Sequence, residues 1–390
     1  LDAFYSSILY VSSLVSAVLT VLIVIFINPI AAFMQFNKIV VLLIVAQSFG
    51  AYVINFVTMK YIHHKQASLN FLVSVVVTLV SVFLSLILIM NIDTFEDRYW
   101  GRIIGYAVPN VVVGIILGIQ IFAKGKTGYR KDYWRFCLPL CLPLIFHNLS
   151  QILLAQSDRI MLQKLMNDNG AVGIYSFIFN FVHIINIIYS AMNNTWVPLY
   201  YDHLKAGEMD AIRRRTRNYM VLYTILTMGF MLLAPEVVKL FASEDFWSGT
   251  NLIPIMTVAY YMVFLYSFPV NYEFYHRETK IIAVGTCLAA LVNIVANYFM
   301  IPIWGIAGAS IATMGSYVLL FFFHHFIAKY FIKGAKYHYK LTTFLPGIAA
   351  VLVTCGVFYL FYDFWYIRWG IGAVLGVYLL VRVYKQKSIF

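Results

Sequence analysis

The 390-residue chain is 62% hydrophobic, 17% aromatic and only 11% charged. A soluble domain carries about 25% charged residues, so these proportions exclude a soluble fold and imply a polytopic membrane protein. The formal net charge of +12 does not point to nucleic acid, because the basic residues fall between apolar runs and lack aromatic–basic interleaving.

A membrane-spanning helix needs ~20 apolar residues. Twelve such spans are predicted, at 7–29, 39–59, 69–90, 103–123, 137–160, 171–195, 218–235, 250–271, 281–302, 305–328, 342–361 and 365–381. Runs this long fit helices, and an open sheet edge facing lipid is not viable. The expected fold is therefore all-α. The chain starts at Leu1 and enters an apolar helix almost at once, without a signal-peptide pattern. Sequence ahead of Leu1 is expected to be missing.

The loop charges give the orientation, since Lys and Arg concentrate on the cytoplasmic side. Alternate loops and span ends carry Lys60 and Lys65; Lys124, Lys126, Arg130, Lys131 and Arg135; Lys205, Arg213, Arg214, Arg215 and Arg217; Arg277 and Lys280; Lys329, Lys333, Lys336 and Lys340; and Arg382, Lys385 and Lys387. The opposite set holds only Lys38, Arg98, Arg102, Lys164, Lys239 and Arg368. The first set is read as cytoplasmic, with both visible termini on that side. The acidic loops Asn91–Arg102 and Ala242–Thr250 are then external. The basic loop Lys124–Arg135 is the natural linker between two bundles. It divides the chain into 1–123 (four spans), 124–328 (six spans) and 329–390 (a further helix pair).

The fifth and sixth spans carry polar residues that a lipid-facing helix would not. On an α-helix each residue turns about 100°. Projected so, His147, Asn148, Gln151, Asp158 and Arg159 fall within about 120°, and Tyr175, Asn180, His183, Asn186, Ser190, Asn193 and Asn194 within about 140°. Polar groups in a membrane are costly and normally face a bundle interior or a wet cavity. Two consecutive helices with one polar face each can line a common cavity. The competing reading is hydrogen-bonding glue between helices. For Asp158 and Arg159 it is a local ion pair, with Arg159 snorkelling to the interface. Facing a cavity, Arg159 would present a planar fork suited to phosphate or carboxylate.

Pro139 and Pro143 predict a bend early in the fifth span, either a hinge or a static kink. Arg213, Arg214, Arg215 and Arg217 form a patch with attraction for anionic lipid, about 1 kcal/mol per residue. Its plain role is anchoring; its sharper one is collecting an anionic lipid substrate. Tyr and Trp flank many spans as an interface belt. Gly114/Gly118 and Gly372/Gly376 are GxxxG pairs, which predict close helix packing. His324-His325 lies near the cytoplasmic end of its span, and a proton relay is one reading of it. Cys137, Cys141, Cys287 and Cys355 lie in apolar segments and suggest neither disulfides nor a metal site. No nucleotide-binding or hydrolase motif occurs, so neither a cofactor nor enzyme chemistry is expected.

Three passages resemble a known family. They are SDRIMLQKLMNDNGAVGIYSFIFNF, NNTWVPLYYD and LVNIVANYFMIPIWGIAGASIATMGSYV, which resemble the "D-R…G…V-G-I-Y", "W-x-P-x-x-Y" and "N-x-x-x-N…I-P…G-I-x-G-A-x-x-A-T" segments of bacterial polysaccharide-biosynthesis flippases. The residues are Asp158, Arg159, Gly173, Tyr175, Trp196, Pro198, Tyr201, Asn293, Asn297, Pro302, Gly305, Gly308 and Ala309. The resemblance runs through about Asp132–Ala328; the four spans before it fit in hydropathy alone.

The resemblance implies a MATE-like fold of two six-helix bundles, with two extra C-terminal helices and two N-terminal spans missing from this chain. It implies residence in the bacterial cell membrane. It further implies movement of a polyprenyl-diphosphate-linked oligosaccharide, for O-antigen or capsule, from the cytoplasmic to the outer leaflet by alternating access. Membrane lipids, a polysaccharide polymerase and glycosyltransferases would be its partners. Arg159, with Asp158 beside it, and the Arg213–Arg217 cluster would meet the diphosphate. Asn148, Gln151, Asn180, Asn186 and Asn194 would hydrogen-bond the sugars. Two alternatives stay open: a lipid II-type flippase, and a MATE-type cation-coupled drug antiporter. The second would want cavity acids, and Asp158 is the one acid read inside the spans.

Overall fold

The computed structural model describes residues 1–34, 36–94, 97–332 and 337–386. Lys333, Lys336 and Lys387 of the basic loops, and Phe95 and Glu96 of the acidic loop, lie outside the described residues. The described chain is helical, with no strand: α1 (Asp2–Ile25), α2 (Ile27–Met34), α3 (Lys38–His63), α4 (Ala67–Met90), α5 (Arg98–Gly125), α6 (Lys131–Met166), α7 (Asn169–Ala206), α8 (Met209–Phe241), a 3-10 segment (Glu244–Leu252), α9 (Ile253–Tyr275), α10 (Thr279–Tyr330), α11 (Leu341–Leu360) and α12 (Trp365–Gln386). Eleven of these stretches are long and apolar enough to cross a membrane.

The 52 residues of α10 would reach ~78 Å if straight, far beyond a hydrocarbon core of ~30 Å. The helix is broken at Gly305, at φ 57° and ψ −133°, a region open essentially to glycine alone. The two limbs then run back to back. Asn293 Nδ2 donates to Thr313 Oγ1 at 3.2 Å. A Cβ on Gly308 would sit 2.3 Å from the Met300 carbonyl oxygen, and one on Gly285 would sit 2.6 Å from His324 Nε2. These pairings centre on residue 304, so α10 is a hairpin supplying the two predicted spans 281–302 and 305–328.

The chain forms two compact units, Leu1–Leu138 and Pro139–Phe390. In the first, α5 packs against α1, α3 and α4 through small residues. A Cβ on Gly50 would meet the Asn110 carbonyl at 2.4 Å, one on Gly114 would meet Gly50 Cα at 2.7 Å, and one on Gly105 would meet Ser85 at 2.5 Å. Backbones can approach this closely only where side chains are absent. Gly114 thus sits in close backbone contact as its GxxxG spacing predicts, whereas a Cβ on Gly118 would make an ordinary 3.7 Å contact with Val53. Gly372 and Gly376 are not in such contact: a Cβ on Gly372 would make an ordinary 3.4 Å contact with Leu233, and one on Gly376 would meet nothing within 4 Å. The linker is tied to α1. Ser6 Oγ donates to the Thr127 carbonyl at 2.6 Å, and the Arg130 amide donates to Ser7 Oγ at 3.1 Å.

In the second unit α9 is the centre. It is apolar on every side and buried along most of its length, as an all-round hydrophobic helix must be. α7, α8, α10 and α11 pack on it, and α11 and α12 pack on α8. One buried side chain locks α12 in place: Arg368 bonds the carbonyls of Leu232, Phe361 and Tyr362 and pairs with Glu236. Several helices outrun their predicted spans. α7 continues through Pro198 because Trp196 and Tyr200 are buried, and α8 begins at Met209, so the Arg213–Arg217 cluster is helical rather than loop. α6 also passes unbroken through Pro139 and Pro143.

Candidate functional site: the polar faces of the second unit

α6 places its polar residues on two surfaces. His147, Ser150, Gln151, Ser157 and Asp158 follow the i, i+3, i+4 spacing of one helical face. That face packs inward. His147 Nδ1 lies 2.7 Å from Thr286 Oγ1, whose single hydroxyl proton goes to the Ile282 carbonyl, so the imidazole donates. Gln151 Nε2 donates to Tyr266 Oη at 3.0 Å, and Ser157 Oγ donates to Asn293 Oδ1 at 3.0 Å.

Asp158 is 0% exposed. Its carboxylate accepts from Tyr175 Oη at 2.5 Å, Asn297 Nδ2 at 2.6 Å and Thr313 Oγ1 at 2.6 Å. Asn297 Nδ2 also donates to Asn293 Oδ1 at 3.1 Å. One carboxylate thus knots α6, α7 and both limbs of α10 together. Its charge is met by hydroxyl and amide donors, since a buried carboxylate is tolerable only with such bonds. The oxygens gathered here belong to one acid and several neutral groups, and Asn297 Oδ1 has no partner. That donor set is hard and carries a single negative charge. No group of three or more His, Cys, Asp or Glu side chains suited to a metal occurs among the described residues.

Arg159 does not pair with Asp158. Consecutive helix positions project about 100° apart, so as Asp158 turns inward, Arg159 turns toward α7. Its guanidinium donates to Gln156 Oε1, and to Asn180 Oδ1 at 3.1 Å. The group lies 4.9 Å from the Phe179 ring centroid, in cation–π range. Its Nε is unpartnered. The local ion pair of the competing reading is therefore absent, and in place of snorkelling the side chain is held at the α6–α7 surface. Farther along α7, Asn186 Nδ2 bonds His183 Nε2 at 3.1 Å, leaving Asn186 Oδ1 unsatisfied. Asn193 Oδ1 accepts from Asn271 of α9. Asn148 and Asn180 are exposed, and Asn194 is half-buried. Arg159 and Asn180 are brought together. Asn148 lies 11 residues from Arg159, or ~16 Å along the helix, on the same side, so these groups form a strip rather than a point. Gln151 and Asp158 belong to the interior.

The sequence reading passed over a second buried acid. Glu273 and His324 are both 0% exposed, and His324 Nδ1 lies 2.7 Å from Glu273 Oε2. The predicted span ends at 271, two residues before Glu273, whereas α9 runs to Tyr275. Asp158 is therefore not the one acid enclosed by these helices: Glu273 is buried as fully. Asn293, Asn297 and Thr313 were read only as family motif. Their i, i+4 amide spacing on one helix face was the available signal that they act as a group.

Residues 5–202 match the polysaccharide biosynthesis protein family, half of the chain. The chain belongs to that family. The match takes in the first four spans, which hydropathy alone had connected to it, together with α6 and most of α7. An uncharacterized membrane protein of Haemophilus influenzae is 22% identical over 200 residues, covering 49% of this chain and 48% of that protein. The match spans about half the length of that curated relative. A solved structure titled lipid II flippase MurJ, inward closed conformation, is similar over 99% of this chain and 84% of its own, with a TM-score of 0.65 and 16% identity. This member of the family thus shares the fold of that solved structure and is a multi-pass membrane protein.

Proposed function

We propose that the protein moves a polyprenyl-diphosphate-linked oligosaccharide from the cytoplasmic to the outer leaflet of the bacterial cell membrane. Its bundles, 1–123 and 124–328, would alternate access while the helix pair 329–390 rides with the second. The observation that carries this reading is the arrangement of Arg159. Its guanidinium is held by Gln156 and Asn180 over Phe179 with Nε unused, on a strip continued by Asn148, His183, Asn186 and Asn194. A fixed fork of this kind suits phosphate oxygens bidentately. Amides beside it replace the water that sugar hydroxyls lose in transit. Family membership supports the glycan class, and the shared fold supports flipping without covalent chemistry. The prenyl chain would stay in lipid.

The drug-antiporter alternative asks for an accessible acid. Asp158 and Glu273 are both enclosed and hydrogen-bonded, which disfavours it. A peptidoglycan-precursor flippase is the same chemistry with a different glycan, and the likeness to MurJ is its support. Arg159→Ala in the complete gene product should abolish surface polysaccharide while the protein remains in the membrane, and Arg159→Lys should restore only part of it. Normal polysaccharide in the alanine strain would remove Arg159 from the mechanism.

A further inference from the structure

The docking of α11 and α12 on α8 is tight at one end and open at the other. The tight end is the buried Arg368–Glu236 clamp. Toward the opposite end the helices part around a cavity of about 780 Å³, lined by α8, the segment before α11, α11 itself and Tyr378 of α12. Its walls are graded along the helix axis. The mouth carries Arg213, Arg217 and Lys340, with Thr342 and Thr343 hydroxyls beside them. The body is Met220, Val221, Ile225, Met228, Pro346 and Ala350. From Arg213 to Met228 is 15 residues, or ~22 Å, which covers a headgroup layer and half of a ~30 Å hydrocarbon core. Arg213 and Arg217 lie four apart, on one helical face, whereas Arg214 and Arg215 project away from it and are not in the lining.

The polar groups of the mouth are donors suited to phosphate. Among the described residues no Asp, Glu, Asn or Gln lines the cavity, so these walls offer no carboxylate to repel an anion and no amides for a glycan. Asp210 lies 3.5 Å from Arg213 and is fully exposed. His338 Nδ1 is buried there without a partner. Arg382 adds a further cation close by, its Nη2 bonded to Asn218 Oδ1 at 3.3 Å. We propose that this groove holds a resident anionic glycerophospholipid of the leaflet that the loop charges mark as cytoplasmic. Its phosphate sits on Arg213, Arg217 and Lys340, and an acyl chain lies along Met220–Met228. A lining without amides among the described residues favours a bulk lipid with a compact headgroup over a lipid-linked sugar. The site is separate from the Arg159 strip and does not depend on the transport reading.

The test is native mass spectrometry of the full chain in detergent, titrated with dioleoyl-phosphatidylglycerol or dioleoyl-phosphatidylcholine. The expected result is at least a tenfold preference for phosphatidylglycerol. Arg213→Gln/Arg217→Gln/Lys340→Gln should erase that preference. Ala350→Trp fills the apolar end without changing charge and should cut occupancy at least fivefold. Lys340→Gln alone, a milder change, should lower the preference measurably should the triple variant fail to fold. Equal binding of the two lipids would overturn the proposal, as would undiminished phosphatidylglycerol binding by the variants. Displacement of phosphatidylglycerol by an equimolar polyprenyl diphosphate, with geranylgeranyl diphosphate as the probe, would reassign the groove to the carrier lipid.

Discussion

Asp158 and Arg159 are neighbours in sequence with opposite tasks. The helix turn sends one into a cage of Tyr175, Asn297 and Thr313 and the other to Asn180 on the α6–α7 surface. Replacing the acid should therefore cost stability first. Asp158→Ala leaves three buried donors without an acceptor, at about 1–3 kcal/mol each, and should lower the detergent melting temperature more than Arg159→Ala does. Equal melting temperatures for the two variants would refute the cage as a structural knot. His338 permits a pH prediction. Burial, and then the nearby Arg213, push its imidazole from the usual range down to about 4. In the unfolded chain the same group titrates near about 6.5. Between those values the unfolded state binds more protons, so the stability contributed here rises with pH and is lost as pH falls from about 6.5 to about 4. His338→Gln should flatten melting temperature against pH across that window. The polar composition of these helices was legible in sequence. Which residue met which partner was not, because Asp158 and Asn297 are 139 positions apart.

Among the elements, α10 shows most plainly how little a single residue need do. Twelve spans were expected and eleven helical stretches are found, the difference being a break confined to Gly305. Gly305→Ala would force a side chain into φ 57°, ψ −133°, strain of about 1–3 kcal/mol, with the new Cβ 3.2 Å from Met166 Cε. The hairpin carries Asn293, Asn297 and Thr313. The substitution should therefore lower the melting temperature and expose the hairpin limbs to faster hydrogen exchange, which mass spectrometry of peptides from α10 would read. Hydropathy located both limbs, since each is a run of apolar residues. The GxxxG reading succeeded at Gly114 but not at Gly118, Gly372 or Gly376, for spacing alone does not say whether a second backbone approaches. Glu273 escaped notice for a similar reason: hydropathy ends a span at the last apolar residue, whereas the helix ends where its packing partners end.

At the scale of the whole molecule, the uneven distribution of Lys and Arg between alternate loops predicts a topology that can be measured. With Cys137, Cys141, Cys287 and Cys355 replaced by Ser, single cysteines at Lys126 and Ser243 should react with a membrane-impermeant maleimide from opposite sides. In intact cells Ser243→Cys should label and Lys126→Cys should not; the reverse pattern would invert the proposed orientation. The two compact units divide between Leu138 and Pro139, within α6.

By itself the sequence determined the solvent, the all-helical class, the span count and the family, because the cost of unpaired backbone and exposed charge in lipid acts locally along the chain. The tertiary structure alone decided which polar residues are paired and which remain open. Asp158, Gln151 and the Glu273–His324 pair are spent inside the second unit. Arg159 keeps an unpartnered Nε, and Asn180, Arg213, Arg217 and Lys340 stay exposed. Hydrogen-bond satisfaction is settled between helices far apart in sequence, and a one-dimensional pattern of polar residues does not contain it.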